Sequence, residues 1–449
     1  MTARLQSWLI PAYVLLCLLI GGSTQGVWGV VLLQWLAIAI LAWSAVASDT
    51  ARSPTAARPL MLIAGAALLL LIAQLIPLPP ALWTALPGRS FLVEGYRLTG
   101  LNLPWLPMSL AWHSTLATAM TLLPPFAVLV GLLRFKATTE VSLYVTVLIG
   151  TLCGILLGLV QVASGGGWYL YRFSAFGTAA GFFANSNHMA TLLLISVPFL
   201  AAVAGDAWDR AANGSVRSLI LAVALGLTGV IAIGIVLNGS FAILLLGLPV
   251  VLATLRIVFR GAMPMRRSVV LAALAAIIAI GAVSVVERDR IQTVNQSSFD
   301  TRSLIWGTSI SAARDHWLTG SGVGTFQQVY PRYEADSAVD GTYINHAHND
   351  YLELAIETGI PGALLVVAFL LWWGRRAIAI WTTGARDRYA LAATIASAII
   401  LLHSLVDFPL RTAAISALFA LTLAVMVRQR VVRRAEVRSD FRPARHLEL

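Results

Sequence analysis

The feature that most constrains this chain is the recurrence, along its whole length, of apolar runs long enough to cross a lipid bilayer. Hydrophobic residues make up 58% of the 449 residues and charged residues only 11%, whereas a soluble domain is about one quarter charged. A segment inside a bilayer must satisfy its own backbone hydrogen bonds, which an α-helix does. The sequence therefore predicts an all-α polytopic membrane protein.

Hydropathy and helix-breaking residues together predict about twelve membrane spans. Their approximate positions are 8–22, 27–47, 60–78, 113–133, 141–162, 188–205, 217–236, 240–258, 268–285, 361–380, 389–405 and 411–427. The seventh and eighth spans are separated only by Asn238-Gly239-Ser240, so their separation is the weakest part of this prediction.

The distribution of basic residues predicts which side of the membrane each loop faces. With both termini in the cytoplasm, 22 of the 31 basic residues fall in cytoplasmic segments, as the positive-inside rule expects. The net charge of +11 is thus explained by short loops and a basic tail that meet anionic lipid headgroups, and it does not indicate nucleic-acid binding. We expect a multi-pass membrane protein whose largest outside loop lies opposite the cytoplasm.

This topology divides the chain into four regions. We expect spans one to nine in 1–286, a large periplasmic loop with short helices in 287–360, spans ten to twelve in 361–428, and a basic cytoplasmic tail in 429–449. Cys17 and Cys153 fall within apolar spans and are expected to act as small hydrophobic residues.

A polar cluster, Asn345 to Glu353, closes the large outside loop immediately before a predicted span. It contains His346, His348, Asn349 and two carboxylates. Ionisable groups at a membrane boundary are costly to keep and usually serve a function. If the helix included His346, that residue would share a face with Asp350, Glu353 and Glu357, and His348 would point elsewhere. If the helix began only at Asn349, both histidines could point inward together.

Other interpretations of these residues remain open. The cluster is also compatible with a solvated helix cap without chemistry, or with a metal site built on His-x-His. The run Gly320-Ser321-Gly322-Val323-Gly324 follows a predicted helix rather than a strand, which favours a flexible turn over a phosphate-binding loop. A transporter is a further alternative, but its clear polar candidates within the spans are only Gln34, Gln74 and Gln161.

The cluster resembles a motif of the bacterial O-antigen ligase and O-antigen polymerase superfamily. The motif reads His-x-His-Asn-x-x-Leu-x-x-x-x-Glu-x-Gly-x-x-Gly and corresponds here to His346 through Gly362. Similar supporting segments are Arg302 to Trp306, Gly320 to Gly324, Phe183 to Ala190 and His403 to Asp407. The resemblance covers about 170–412, and it does not separate ligases from polymerases.

The resemblance implies an enzyme that transfers a glycan from an undecaprenyl-diphosphate carrier to an acceptor hydroxyl on the periplasmic side. A neutral histidine suits the role of general base near pH 7, and guanidinium groups suit a departing diphosphate. We therefore expect inversion at the anomeric carbon and no metal or other cofactor. Paired carboxylates of the glycosidase kind are disfavoured, because Glu353 and Glu357 would lie on one helix.

The resemblance and this chemistry together nominate the site residues. Catalysis is assigned to His348, with His346 and Asn349 beside it, and the diphosphate to Arg172 and Arg302. The reserve candidates for the diphosphate are Arg288, Arg290 and Arg411, and the supporting residues are Asn187, His188, Glu353, Glu357, His403 and Asp407. The expected acceptor is lipid A–core saccharide, as in a ligase. Another lipid-linked repeat, as in a polymerase, or a protein hydroxyl remains an alternative.

Overall fold

The computed structural model of the protein describes residues 3–24, 28–46, 54–135, 137–259, 288–339, 343–382 and 387–428. These residues form sixteen α-helices, four short 3-10 turns and one two-stranded ribbon. The all-α prediction is confirmed.

The long helices of the first half follow the apolar runs of the sequence. They are α1 (Ala3–Ile20), α2 (Trp28–Val46), α3 (Arg58–Leu75), α6 (Trp112–Thr121), α7 (Leu123–Arg134), α8 (Glu140–Ala163), α9 (Ser186–Arg210), α10 (Gly214–Asn238) and α11 (Phe241–Phe259). Two short helices, α4 (Pro80–Trp83) and α5 (Ser90–Thr99), lie between α3 and α6. The ribbon pairs β1 (Pro77–Leu78) with β2 (Leu106–Pro107) in antiparallel register.

The second half contains α12 (Arg288–Asp315), α13 (Phe326–Val329), α14 (Asp350–Thr382), α15 (Arg388–His403) and α16 (Ala413–Arg428). Among the described residues, seven helical stretches are long and apolar enough to span a membrane, and four shorter apolar helices accompany them. These eleven stretches coincide with eleven of the predicted spans, and the twelfth, 268–285, lies outside the described residues. The predicted "short helices" of the large loop need one correction, because α12 is 28 residues long.

The core of the bundle is built around α9, which packs against α8, α10, α11 and α15. Helix α16 packs against α7 and α15, and its buried residues include Ala413, Ala414, Ala417, Ala420 and Ala424. Small residues let helix backbones approach closely where lipid supplies no hydrophobic driving force.

A second, smaller core lies at the end of the bundle where α8 ends and α9 begins. Ile305 and Ala312 of α12 pack there with residues of α13 and the segment before α14. Gln74 and Gln161 bind loops at this end of the bundle. Gln74 binds the backbone of Val323 and Glu357, and Gln161 binds that of Gly181. Two of the three polar candidates for a transport pathway, Gln74 and Gln161, thus bind the backbone of loops.

Helix α14 contains a sharp kink at Gly359, whose φ is 56° and ψ is −147°. Pro361 follows the kink, as expected for a residue that cannot continue the preceding hydrogen-bond ladder. The predicted boundary between the loop and span ten therefore falls inside one kinked helix, next to the kink.

The glycine run from Gly320 to Gly324 is a closely packed turn, so the prediction of a flexible turn was wrong. Gly322 N donates to Glu357 O, and Gly324 N donates to the Glu357 carboxylate. A Cβ on Gly320, whose φ is +76°, would lie 2.2 Å from Glu357 O. The loop is therefore held by backbone contact, which the spacing of glycines in the sequence does not reveal.

Candidate active site

The candidate site is a cluster of side chains around Asp407, which lies in the turn between α15 and α16 and is fully buried. Asn185 and Asn187, at the start of α9, donate hydrogen bonds to its carboxylate. His348 Nδ1 lies 3.3 Å from Asp407 Oδ1, and Phe408 N donates to the same oxygen at 2.9 Å. The carboxylate thus joins three segments that are distant in the sequence.

The electrostatic state of Asp407 follows from these neighbours. Burial alone would raise its pKa, but the hydrogen bond with His348 and the charges of nearby imidazoles outweigh burial. The pKa of Asp407 is held well below its usual range, so the group is an anion at neutral pH. An anionic carboxylate fixes the proton of a neighbouring neutral histidine on the nitrogen that faces it.

His348 has an unusual backbone conformation, with φ of +49°. Non-glycine residues adopt this left-handed region rarely and usually where the surrounding structure enforces it. The ring stands edge-on to Phe408, and about a quarter of the side chain (26%) remains exposed. Its Nδ1 is turned to Asp407, which leaves Nε2 as the nitrogen that can accept a proton.

His346 is buried and serves a different set of contacts. Its Nδ1 lies 2.9 Å from Glu353 Oε1 and its Nε2 3.3 Å from Thr24 Oγ1. Ala347 N donates to the other oxygen of Glu353. Because α14 begins only at Asp350, His346 precedes the helix, and both histidines point inward and contact Phe408. The second of the two helix starts considered for this motif is therefore the one observed.

Two further contacts hold the His-x-His segment in place. Trp306 Nε1 of α12 donates to Ala347 O at 3.0 Å. Asp350 and Ser404 are linked twice, by Asp350 N to Ser404 O and by Ser404 Oγ to Asp350 Oδ2. These bonds bring the start of α14 against the end of α15, which places His348 beside Asp407.

Of the predicted diphosphate ligands, Arg302 reaches this cluster. Its Nη2 lies 3.8 Å from Asp407 Oδ2, and 23% of its side chain is exposed. Arg172 is exposed, and its guanidinium lies 5.5 Å from the centre of the Phe173 ring. The structure therefore brings Arg302 and His348 to one carboxylate but does not bring Arg172 into contact with them.

Arg411 is engaged by carboxylates of α14. Its guanidinium contacts Glu357 at 2.9 Å, Glu353 at 3.2 Å and Asp350 at 3.6 Å. A guanidinium held by three buried acids is poorly suited to bind a substrate diphosphate as well. We therefore assign Arg411 to positioning of α14 and its loop, in place of its role as a reserve ligand.

The remaining nominated residues have structural contacts or lie outside the described set. Asn349 caps α14 through Oδ1, which accepts from Leu352 N. His403 Nδ1 lies 2.5 Å from Thr191 Oγ1, and His188 is buried with its ring edge-on to Phe183 and Phe408. The side chains of Arg288 and Arg290 lie outside the described residues.

A cavity of about 420 Å³ opens beside the cluster. Its polar wall includes Asn185, Asn187 and His348, while Phe173 and Phe176 contribute an aromatic wall. The remaining lining residues are Gly22, Ser23, Thr24, Ser174, Ala175, Ala184, His188, Asn345, Phe408 and Thr412. Within the part of the chain that the structure describes, no group of three or more His, Cys, Asp or Glu residues is arranged to hold a metal ion.

Residues 226–367 match the family model described as O-antigen ligase. This match covers about a third of the chain and supports the resemblance to the O-antigen ligase and polymerase superfamily. A comparison with curated proteins found no match. The matched segment contains Arg302, the glycine turn and the His-x-His segment. The match supports a relation to membrane glycosyltransferases of the ligase or polymerase type.

The segment that matches the family model ends before Asp407, which the sequence indicated only as a supporting residue. Asn185 was not predicted to be a site residue, although it lies in the similar segment Phe183 to Ala190. Both residues were detectable as polar groups at the ends of apolar spans, but their joint contact depends on pairings across 222 positions of the sequence.

Proposed function

We propose that the protein is a bacterial inner-membrane O-antigen ligase that acts on the periplasmic side. It takes a glycan from undecaprenyl diphosphate and joins it to a hydroxyl group of lipid A–core saccharide. The observation that supports this proposal most is the convergence of His348 and Arg302 on Asp407 beside a cavity of about 420 Å³.

His348 is the general base of the proposed reaction. The acceptor oxygen attacks the anomeric carbon while its proton passes to His348 Nε2. Asp407 stays ionised, accepts the hydrogen bond from Nδ1–H and stabilises the imidazolium that forms, as a carboxylate does in other histidine-based sites. The bond from the anomeric carbon to the diphosphate oxygen breaks, and both of its electrons leave with the diphosphate. Attack from the face opposite the leaving group inverts the anomeric centre.

Arg302 stabilises the departing diphosphate. A planar guanidinium can bind two anionic oxygens at once, and its charge compensates the charge that develops on the leaving group. Before substrate binds, Arg302 pairs with Asp407 at 3.8 Å, a distance long enough for a diphosphate to compete. Arg172, on the neighbouring loop, is the second proposed ligand and would have to turn away from Phe173. No metal ion is required in this scheme.

The nature of the acceptor is tested by deleting the gene in its host and separating the lipopolysaccharide on a gel. A ligase predicts loss of the long ladder from lipid A–core, whereas a polymerase predicts that a single repeat remains attached. Restoration by the wild-type gene, and failure of restoration by a His348→Ala gene, would connect the phenotype with this site. An unchanged ladder would contradict the proposal, and glycan missing only from proteins would indicate the protein-glycosylating alternative.

A further inference from the structure

The loop between α8 and α9 presents unusual side chains to the cavity. Phe173 and Phe176 both line it, and they remain 66% and 58% exposed. Exposed aromatic rings on a concave surface indicate a binding surface more often than isolated surface apolar residues do. We ask which ligand these two rings fit.

The loop that carries both rings is held by hydrogen bonds within it. Ala175 N donates to Ala184 O, and Ser174 Oγ donates to Tyr171 O. The hydroxyl of Tyr171 accepts from Gly22 N, which ties the loop to the segment after α1.

The ring of Phe176 is fixed separately. It lies edge-on to Tyr169 at 4.9 Å, and the hydroxyl of Tyr169 donates to Thr178 O. Both rings therefore stand on a loop that is held by hydrogen bonds, and the ring of Phe176, which packs against Tyr169, is pre-organised for a ligand.

The rest of the cavity has the contrasting chemistry. Asn185, Asn345 and His348 line it, together with the hydroxyl-bearing Ser23 and Thr24. A cavity with one aromatic wall and one wall of amides, hydroxyls and imidazole suits an amphipathic ligand. A sugar ring has this character, because its C–H face is apolar and its rim carries hydroxyl groups.

A polyprenyl chain fits the same cavity poorly. It has no hydrogen-bonding groups, so it would cover the polar wall without replacing water there, and desolvating polar groups without a partner is costly. The electron-rich face of an aromatic ring attracts the weakly positive C–H groups of a sugar. We therefore infer that Phe173 and Phe176 form a stacking subsite for the sugar ring attached to the carrier diphosphate.

This inference rests on the proposed function and adds to it a saccharide-specific contact. The position of the rings supports the donor sugar, because Phe173 directly follows Arg172, one of the two proposed diphosphate ligands. Turning Arg172 toward the diphosphate would uncover the face of the Phe173 ring. A sugar bound to that diphosphate would be the next group along the cavity wall.

The test compares two probes on the purified full-length protein in lipid nanodiscs. One probe is bare undecaprenyl diphosphate, and the other is the same carrier bearing N-acetylglucosamine. The measured quantity is the ratio of the two dissociation constants, determined for wild type, Phe173→Leu and Phe176→Leu. Leucine keeps an apolar side chain but removes the aromatic face.

We expect wild type to bind the sugar-bearing carrier more tightly than the bare carrier. Each leucine variant should lower that preference by about 3- to 10-fold, while its affinity for the bare carrier stays near wild type. Affinity for the bare carrier also reports whether the variant is folded. Phe173→Trp should restore the preference, because it restores an aromatic face.

Trp168→Leu is the matched control, because Trp168 lies on the same loop and is 71% exposed but is absent from the cavity lining. It should leave the ratio unchanged. An unchanged ratio in both phenylalanine variants would overturn the inference, and an equal loss for both probes would assign the rings to the lipid chain instead. Either result leaves the proposed function standing if the His348→Ala enzyme fails to transfer glycan. A wild-type enzyme that transfers none would refute the proposed function itself.

Discussion

At the residue scale, the site depends on how one buried carboxylate organises its neighbours. Asp407 interacts with a histidine, an arginine and two amides. Burial makes each of these contacts costly to break. Single substitutions should therefore have measurable effects that separate the roles of the surrounding side chains.

Replacing Asp407 by Asn should keep the volume but remove the charge that stabilises imidazolium at His348. We expect glycan transfer to fall by about 100-fold or more. Asp315→Asn is the control, since Asp315 instead accepts from Tyr333 on an exposed surface. A reduced rate accompanied by a lowered thermal transition would mean that Asp407 only supports the fold.

Substitutions at Arg302 separate charge from geometry. Arg302→Lys keeps the positive charge but loses the planar fork, so part of the activity should remain. Arg302→Ala should lose nearly all activity, equivalent to about 3 kcal/mol or more of transition-state stabilisation. Arg314→Ala, an exposed change on the same helix, should stay near wild type in the same transfer assay. Equal activity of the Lys and Ala variants would argue against a role for the guanidinium fork.

At the scale of elements, the local features of the site were the predictable ones. The apolar runs predicted the long helices, and the predicted start of span ten at residue 361 lies next to the kink at Gly359, because glycine and proline act over a few residues. The choice between two positions for His346 could not be made from spacing, because it depends on where the helix starts. That start is set by the capping of Asn349 and the contact with Ser404.

The tight glycine turn leads to a prediction about stability. Gly320→Ala would place a Cβ against the backbone of Glu357 and Thr358, in a left-handed conformation that disfavours side chains. We expect it to destabilise the protein by about 2 kcal/mol or more, measured as a lowered thermal transition in detergent. Gly307→Ala, on α12 with nothing within 4 Å of the added Cβ, should be neutral or stabilising by up to about 1 kcal/mol. A tolerated alanine at 320 would show that the turn is more yielding than its contacts imply.

At the scale of the whole molecule, the class of protein followed from composition, whereas the convergence at the site did not. Asn185, Asp407 and His348 come from three separate connections between helices, and hydropathy carries no signal for which connections meet. The same limitation paired Arg172 with Arg302 as first candidates and kept Arg411 in reserve, whereas the contacts bring Arg302 to Asp407 and hold Arg411 among three carboxylates.

Membrane topology is a prediction at this scale, since it determines which compartment the site faces. A reporter active only in the periplasm should be active when fused after residue 330 and silent when fused after 262 or 382, following the distribution of arginines. A reporter active only in the cytoplasm should give the opposite pattern in the same three fusions. The reverse result would place His348 in the cytoplasm and remove the basis for a periplasmic acceptor.

The most direct test of the account measures glycan transfer by purified enzyme from an undecaprenyl-diphosphate-linked glycan to lipid A–core acceptor. His348→Ala should abolish transfer while membrane levels of the protein stay near wild type, because this partly exposed ring contributes little to helix packing. His346→Ala should reduce transfer less, since His346 supports the loop through Glu353. EDTA should leave the rate of wild-type transfer unchanged. Full activity of the His348→Ala enzyme, or complete inhibition of wild type by EDTA, would contradict the metal-independent general-base mechanism.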